Sequence, residues 1–112
     1  TKYSNPASLP AGDGNAIAWN PAGTSVAIAH STSPYVSAYP WSAGFGTKYA
    51  DPATTPTGTG NGIGFSDSGT SIAIAHTTSP VVTAYPFSAG FGTKYANPAT
   101  IPGSPGYAIS FA

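Results

Sequence analysis

The chain has 112 residues, of which only 5% are charged; Lys2, Lys48 and Lys94 balance Asp13, Asp51 and Asp67 to a net charge of zero. That balance excludes the basic stripe of a nucleic-acid binder and the charged tail that would seek an oppositely charged partner. The lack of cysteine excludes a disulfide framework and a thiolate zinc site.

No apolar run is long enough to cross a bilayer as a helix, and the N-terminus lacks the basic-then-apolar layout of a signal peptide, so a soluble protein is expected. Methionine is absent, which suggests a fragment or a processed chain. Glycine (14) and proline (12) are frequent, yet 40% of residues are hydrophobic and 12% aromatic, enough to build a core rather than a disordered tract.

Those apolar residues recur in fixed phase. Thr1-Lys2-Tyr3 returns as Thr47-Lys48-Tyr49 and again as Thr93-Lys94-Tyr95, a period of 46 residues. Residues 1–46 and 47–92 are identical at 29 positions, and many differences are mild, such as Val26 against Ile72, Trp19 against Phe65 and Trp41 against Phe87. A partial third copy covers residues 93–112, so the chain holds about 2.4 repeats in one array.

Within a copy, apolar residues alternate and turn residues break the runs, the pattern of short strands rather than helices. The first strand is expected over residues 15–20, with Ile17 and Trp19 on one side and Ala16 and Ala18 on the other; its copies are 61–66 and 107–112. Pro21-Ala22-Gly23 and Asp67-Ser68-Gly69 read as tight hairpin turns in which glycine supplies a positive φ. The second strand is expected over 24–30, with Val26, Ile28 and His30 facing one way, and Ser31-Thr32-Ser33-Pro34 breaks it.

The third strand is expected over 35–39, with Tyr35, Ser37 and Tyr39 on one face and Pro40 at its end. After Ala43-Gly44-Phe45-Gly46 a fourth strand, roughly 47–50, carries Lys48 and Tyr49, and a Thr/Pro/Gly-rich stretch leads into the next copy. Four antiparallel strands per repeat match a blade of a β-propeller, so the expected fold is all-β. Small residues such as Ala27, Ala29, Ala73 and Ala75 would let neighbouring sheets approach closely.

The segment Asn61-Gly62-Ile63-Gly64-Phe65-Ser66-Asp67-Ser68-Gly69-Thr70-Ser71-Ile72-Ala73-Ile74-Ala75-His76 resembles the core of WD40-like propeller repeats. Its continuation, Thr77-Thr78-Ser79-Pro80-Val81-Val82-Thr83-Ala84-Tyr85, is similar to repeat proteins of bacteriophage and bacterial type. The likeness spans essentially the whole chain and implies fold rather than activity; by its phage-like character it implies a virion-associated or extracellular structural module. The Gly-His pair and Trp-Asp dipeptide of true WD40 repeats are missing, with Tyr39-Pro40-Trp41 and Tyr85-Pro86-Phe87 where the dipeptide is expected. Blade cohesion is therefore expected from apolar packing and backbone ladders.

Propellers close with about 4 to 8 blades, so about 2.4 repeats need a partner. Several copies could form the ring, or the chain could be a piece of a longer array. Two copies contribute just under five repeats and three just over seven, so a homodimer or homotrimer with strand exchange at the joins is the expectation.

Chemistry-bearing residues are few. His30 and His76 share one repeat position, which suits either a ring of ligand contacts or two imidazoles that each tie down their own Ser-Pro turn. The aspartates share no common phase, which disfavours a converging acid–base pair and favours turn capping. No Gly-x-Ser-x-Gly elbow is present. A non-enzymatic chain is expected, without cofactor or metal. In the propeller resemblance the loops after the second strand and before the first share one face. It carries Asn15, His30, Thr32, Ser33 and Tyr35 in one copy and Asn61, His76, Thr78 and Ser79 in the next. This polar, uncharged face suits a neutral glycan or a protein partner, so a structural self-assembling scaffold leads and a lectin-like binder with one shallow site per blade is the alternative.

Overall fold

The computed structural model describes residues 1–111; the last expected strand residue, Ala112, lies outside them. The chain is all-β, with no helix among the described residues. Strands β1 (Gly14–Trp19), β2 (Ser25–His30) and β3 (Val36–Pro40) form one antiparallel sheet, and β4 (Gly60–Phe65), β5 (Ser71–His76) and β6 (Val82–Pro86) form another, each in sequential order.

Alternation gives each sheet a small face and a large face. Ile17 stands opposite Ile28 and Trp19 opposite Val26, while Ala18 stands opposite Ala27 and Ala27 opposite Ala38. The second sheet repeats the register, with Ile63 opposite Ile74, Phe65 opposite Ile72, and Gly64 opposite Ala73. Because side chains point to alternate faces, Ala16, Ala18, Ala27, Ala29 and Ala38 share one surface. Ile63, Phe65, Ile72, Ile74 and Tyr85 share the opposite surface of the second sheet. These two surfaces meet in the core, where Ala27, Ala29, Val36, Ala38, Ile72 and Ile74 are fully buried. Each buried isoleucine contributes roughly 1.5–3 kcal/mol.

The hairpin turns follow the sequence reading. Gly23 and Gly69 have φ of 72° and 75°, and the Gly23 amide donates to the Asn20 carbonyl at 2.9 Å. Asn20 Oδ1 also accepts from the Thr24 and Ser25 amides at 2.8 and 2.9 Å.

The expected third strand starts one residue late. Tyr35 has φ of 70° and closes the preceding turn, its amide donating to the Thr32 carbonyl at 2.9 Å, so the ladder begins at Val36. Val81 does the same in the second copy, with φ of 62°. The expected fourth strand is reduced to a contact. Residues 47–50 join β3 through the Tyr49 amide and the Ala38 carbonyl at 2.9 Å, and residues 93–96 join β6 through Tyr95 and Ala84 at the same distance. Pro40 offers no N–H at one end of β3, and the chain turns away at Pro52 on the other, which leaves one bond where a ladder would need several.

Residues 107–111, the third copy of the first strand, form no ladder among the described residues. They lie across the small face of the second sheet: a Cβ built at Gly62 would meet the Ala108 backbone at 2.6 Å, and one at Gly64 would meet Ile109 at 3.4 Å.

Aromatic side chains seal one end of each sheet. Trp41 meets Tyr3, Trp19 and Phe45 edge to face, with centroids 4.9–5.0 Å apart. Phe87 meets Tyr49, Phe65 and Phe91 at 5.1–5.7 Å. Tyr39 and Tyr85 are buried, and their hydroxyls donate to the carbonyls of Ser8 and Thr54 at 2.6 Å, pinning each preceding connector to its sheet. Tyr85→Phe is expected to lower stability by about 1 kcal/mol through loss of this bond, read as an earlier midpoint in urea; an unchanged midpoint would discount the pin.

Candidate functional site

In each copy the connector before the first strand locks against the turn after the second. The Ser31 amide donates to the Asp13 carbonyl at 3.1 Å, and the Asp13 amide donates to Ser31 Oγ at 2.9 Å. Gly12 lies so close to the turn that a Cβ would meet Thr32 Oγ1 at 2.5 Å, and Gly58 stands in the same relation to Thr78 Oγ1, also at 2.5 Å. In the second pair Thr57 Oγ1 donates to the Ser79 carbonyl at 2.8 Å. Thr32, Ser33, Thr78 and Ser79 are exposed there, and Tyr35 is half-buried.

The two histidines sit inside the sheets beside their turns. Both are fully buried. His30 Nε2 is hydrogen-bonded to Ser37 Oγ at 2.9 Å and His76 Nε2 to Thr83 Oγ1 at 2.8 Å, so each imidazole ties β2 to β3, or β5 to β6. The cause is strand parity: His30 lies on the same face as Ile28 and Val26, and the facing β3 residue on that face is Ser37. Nδ1 of each ring has no hydrogen-bond partner. Burial holds both pKa values below the ordinary 6.5, opposed by the backbone at Thr32 and Val36 for His30 and at Thr78 for His76. These imidazoles are neutral internal struts, screened from a ligand at the loop face.

The exposed Asn15 and half-buried Asn61 bond to backbone within the chain. Asn15 Nδ2 donates to the Gly60 carbonyl at 2.9 Å and Asn61 Nδ2 to the Gly106 carbonyl at 3.0 Å. Each asparagine thus clamps the first strand of one copy to the start of the next. Sequence reading placed these residues on the loop face and missed the clamp; the signal was available in the shared 46-residue phase of Gly14, Gly60 and Gly106.

Gly60 shows why glycine is needed at that phase. A Cβ there would meet the Tyr35 carbonyl oxygen at 2.6 Å and Ala29 Cβ at 3.0 Å, and at Gly106 it would meet Ala75 Cβ at 2.9 Å and the Val81 carbonyl at 3.0 Å.

The carboxylates do not converge. Asp51 pairs with Lys48, and Asn5 and Asn97 accept from Lys2 and Lys94 at the equivalent spacing. That position therefore serves the lysine three residues earlier instead of capping a turn, a surface pair worth about 0–1 kcal/mol. Among the described residues no group of three or more histidine or acidic side chains could hold a metal ion. A cleft of about 450 Å³ lies elsewhere, between Lys2-Tyr3-Ser4 and the Ser42–Gly46 turn, and it holds no histidine or carboxylate. Comparison with protein-family models and with curated proteins gave no match.

Proposed function

We propose that this chain is a non-catalytic structural module, a set of propeller blades that completes its fold by packing against further copies of itself. The observation that carries this reading is an internal comparison between equivalent residues. Ile63 is 7% exposed because the first sheet covers it, whereas Ile17, at the same repeat position, is 59% exposed beside Trp19 at 47%. At the other end of the stack Val36 and Ala38 are fully buried, while their counterparts Val82 and Ala84 are only half-buried.

One sheet therefore presents an uncovered β1 edge on its large face, at Ile17 and Trp19, and the other an incompletely covered small face. These are the same two surfaces that meet in the core. A second chain joined by the same relation buries both, and repetition of a head-to-tail contact closes a ring when its rotation permits. Exposed apolar faces of this kind mark interaction surfaces.

Mass in solution tests the proposal. A discrete dimer or trimer is expected from light scattering at micromolar concentration, and a stable 11.1 kDa monomer would overturn it. The exposed, uncharged Thr32, Ser33, Thr78 and Ser79 support a second reading, binding of a neutral glycan at the loop face. Silence across a neutral glycan array would remove that reading and leave the first intact.

A further inference from the structure

The geometry points to residues 93–111 as an internal occupant of the docking site for a second copy of this chain, displaced when residues 1–19 of that copy bind. The inference rests on the self-assembly reading and specifies its contact surface and its competitor.

Residues 93–111 and 1–19 occupy the same repeat phase, so their positions can be compared bond by bond with the intervening copy. Tyr49 donates its amide to Ala38 and shares a side-chain bond with Ser25 at 2.9 Å; Tyr95 repeats this with Ala84 and with Ser71 at 3.2 Å. Gly60 fits beneath the Tyr35 carbonyl, and Gly106 fits beneath that of Val81. Ile109 and Phe111 lie over Gly64 on the second sheet's small face. Residues 93–111 thus sit on the second sheet as residues 47–65 sit on the first. In the intervening copy that place is held by the front edge of a whole sheet.

Here the occupant is poorly held. Residues 107–111 make no ladder, and Tyr107 and Phe111 remain 70% and 37% exposed. Residues 14–19 are a better fit for the same site. They arrive already paired with β2, and they bring Ile28 on the same face. Trp19 replaces Phe111, giving a larger apolar side chain. Asn15 replaces Tyr107 and keeps its clamp on Gly60 of its own chain, a bond that Tyr107 cannot make.

These differences select displacement over exchange. If residues 93–111 instead stayed in place and replaced residues 1–19 on the incoming copy, that copy would give up its β1–β2 ladder and the Asn15 clamp. Displacement retains both. It also sets the arithmetic of closure, because each chain then contributes two sheets and no more. A dimer closes four blades and a trimer six, where a simple sum of repeats suggests five or seven.

Two measurements on the 112-residue chain test this. In the double variant Ile109→Ala/Phe111→Ala the occupant is weakened, and the apparent dissociation constant, measured by dilution with native mass spectrometry, is expected to fall about tenfold or more. Trp19→Ala is expected to raise it by a similar factor. A weaker or unchanged assembly in the double variant overturns displacement while leaving self-assembly standing; a monomeric parent chain overturns both. Hydrogen exchange on the unaltered oligomer gives an answer that does not depend on any variant folding. Displacement predicts that the Tyr95 and Gly106 amides, bonded to Ala84 and His76 in the free chain, lose protection on assembly. Retained protection there, with loss across residues 14–19, would establish exchange instead.

Discussion

Phe87→Ala is expected to lower stability by about 3–5 kcal/mol, the usual range for emptying a buried aromatic site. Phe87 is 5% exposed and lies at the centre of a cluster whose members come from four parts of the chain: Phe65 on β4, Tyr49 in the connector before it, Phe91 in the following turn, and Phe87 just beyond β6. Truncation therefore removes three edge-to-face contacts together with the buried area, and no single neighbour can fill the space. Against a typical stability of about 5–15 kcal/mol for a folded domain, the loss is a large fraction of the total. Urea midpoints at constant slope provide the measurement. Leu9→Ala, at a residue 66% exposed, should leave the midpoint within about 0.5 kcal/mol of the parent. A cost below about 1 kcal/mol for Phe87→Ala would show that the cluster is not packed.

Stability is expected to fall as the solution is acidified from neutrality, beginning near pH 6.5. The imidazoles of His30 and His76 have folded pKa values below the ordinary 6.5, chiefly because burial disfavours the cation. Below 6.5 the unfolded chain binds protons that the folded chain refuses, so stability increases with pH throughout that window. The contribution is fully present above 6.5 and is lost as pH falls toward the folded values. Two such groups can contribute a slope of at most about 2.7 kcal/mol per pH unit. Urea midpoints at pH 7.5, 6.5 and 5.5 would read this directly. The double variant His30→Gln/His76→Gln should flatten the profile, since glutamine can still hydrogen-bond across to Ser37 or Thr83 but does not titrate. A flat profile in the parent chain would contradict the neutral-strut assignment.

The two histidines also show where sequence reading reached its limit. Their shared phase was plain, and so was their place on the large face with Ile28 and Val26. Their partners were not, because a turn five residues long separates β2 from β3, and the cross-strand register that places Ser37 opposite Ile28 depends on Tyr35 adopting a left-handed φ. A tyrosine gives no local signal for that conformation. The expected fourth strand failed for a related reason. Residues 47–50 have strand-like composition, yet strand formation depends on how much of β3 remains open to pair, and Pro40 and Pro52 leave one bond.

Composition, period and alternation determined by themselves that this chain is all-β, where its hairpins turn and which residues line each sheet face. Those properties are local or periodic, and they follow from side-chain size, φ preference and the two-residue repeat of a strand. The tertiary structure alone decided which faces meet. It seats the small face of one sheet on the large face of the next, turns Asn15 and Asn61 into clamps, buries the histidines, and leaves Ile17 and Trp19 in water while Ile63 is covered. Equivalent positions in a repeat carry equivalent side chains but not equivalent neighbours, and burial depends on the neighbours.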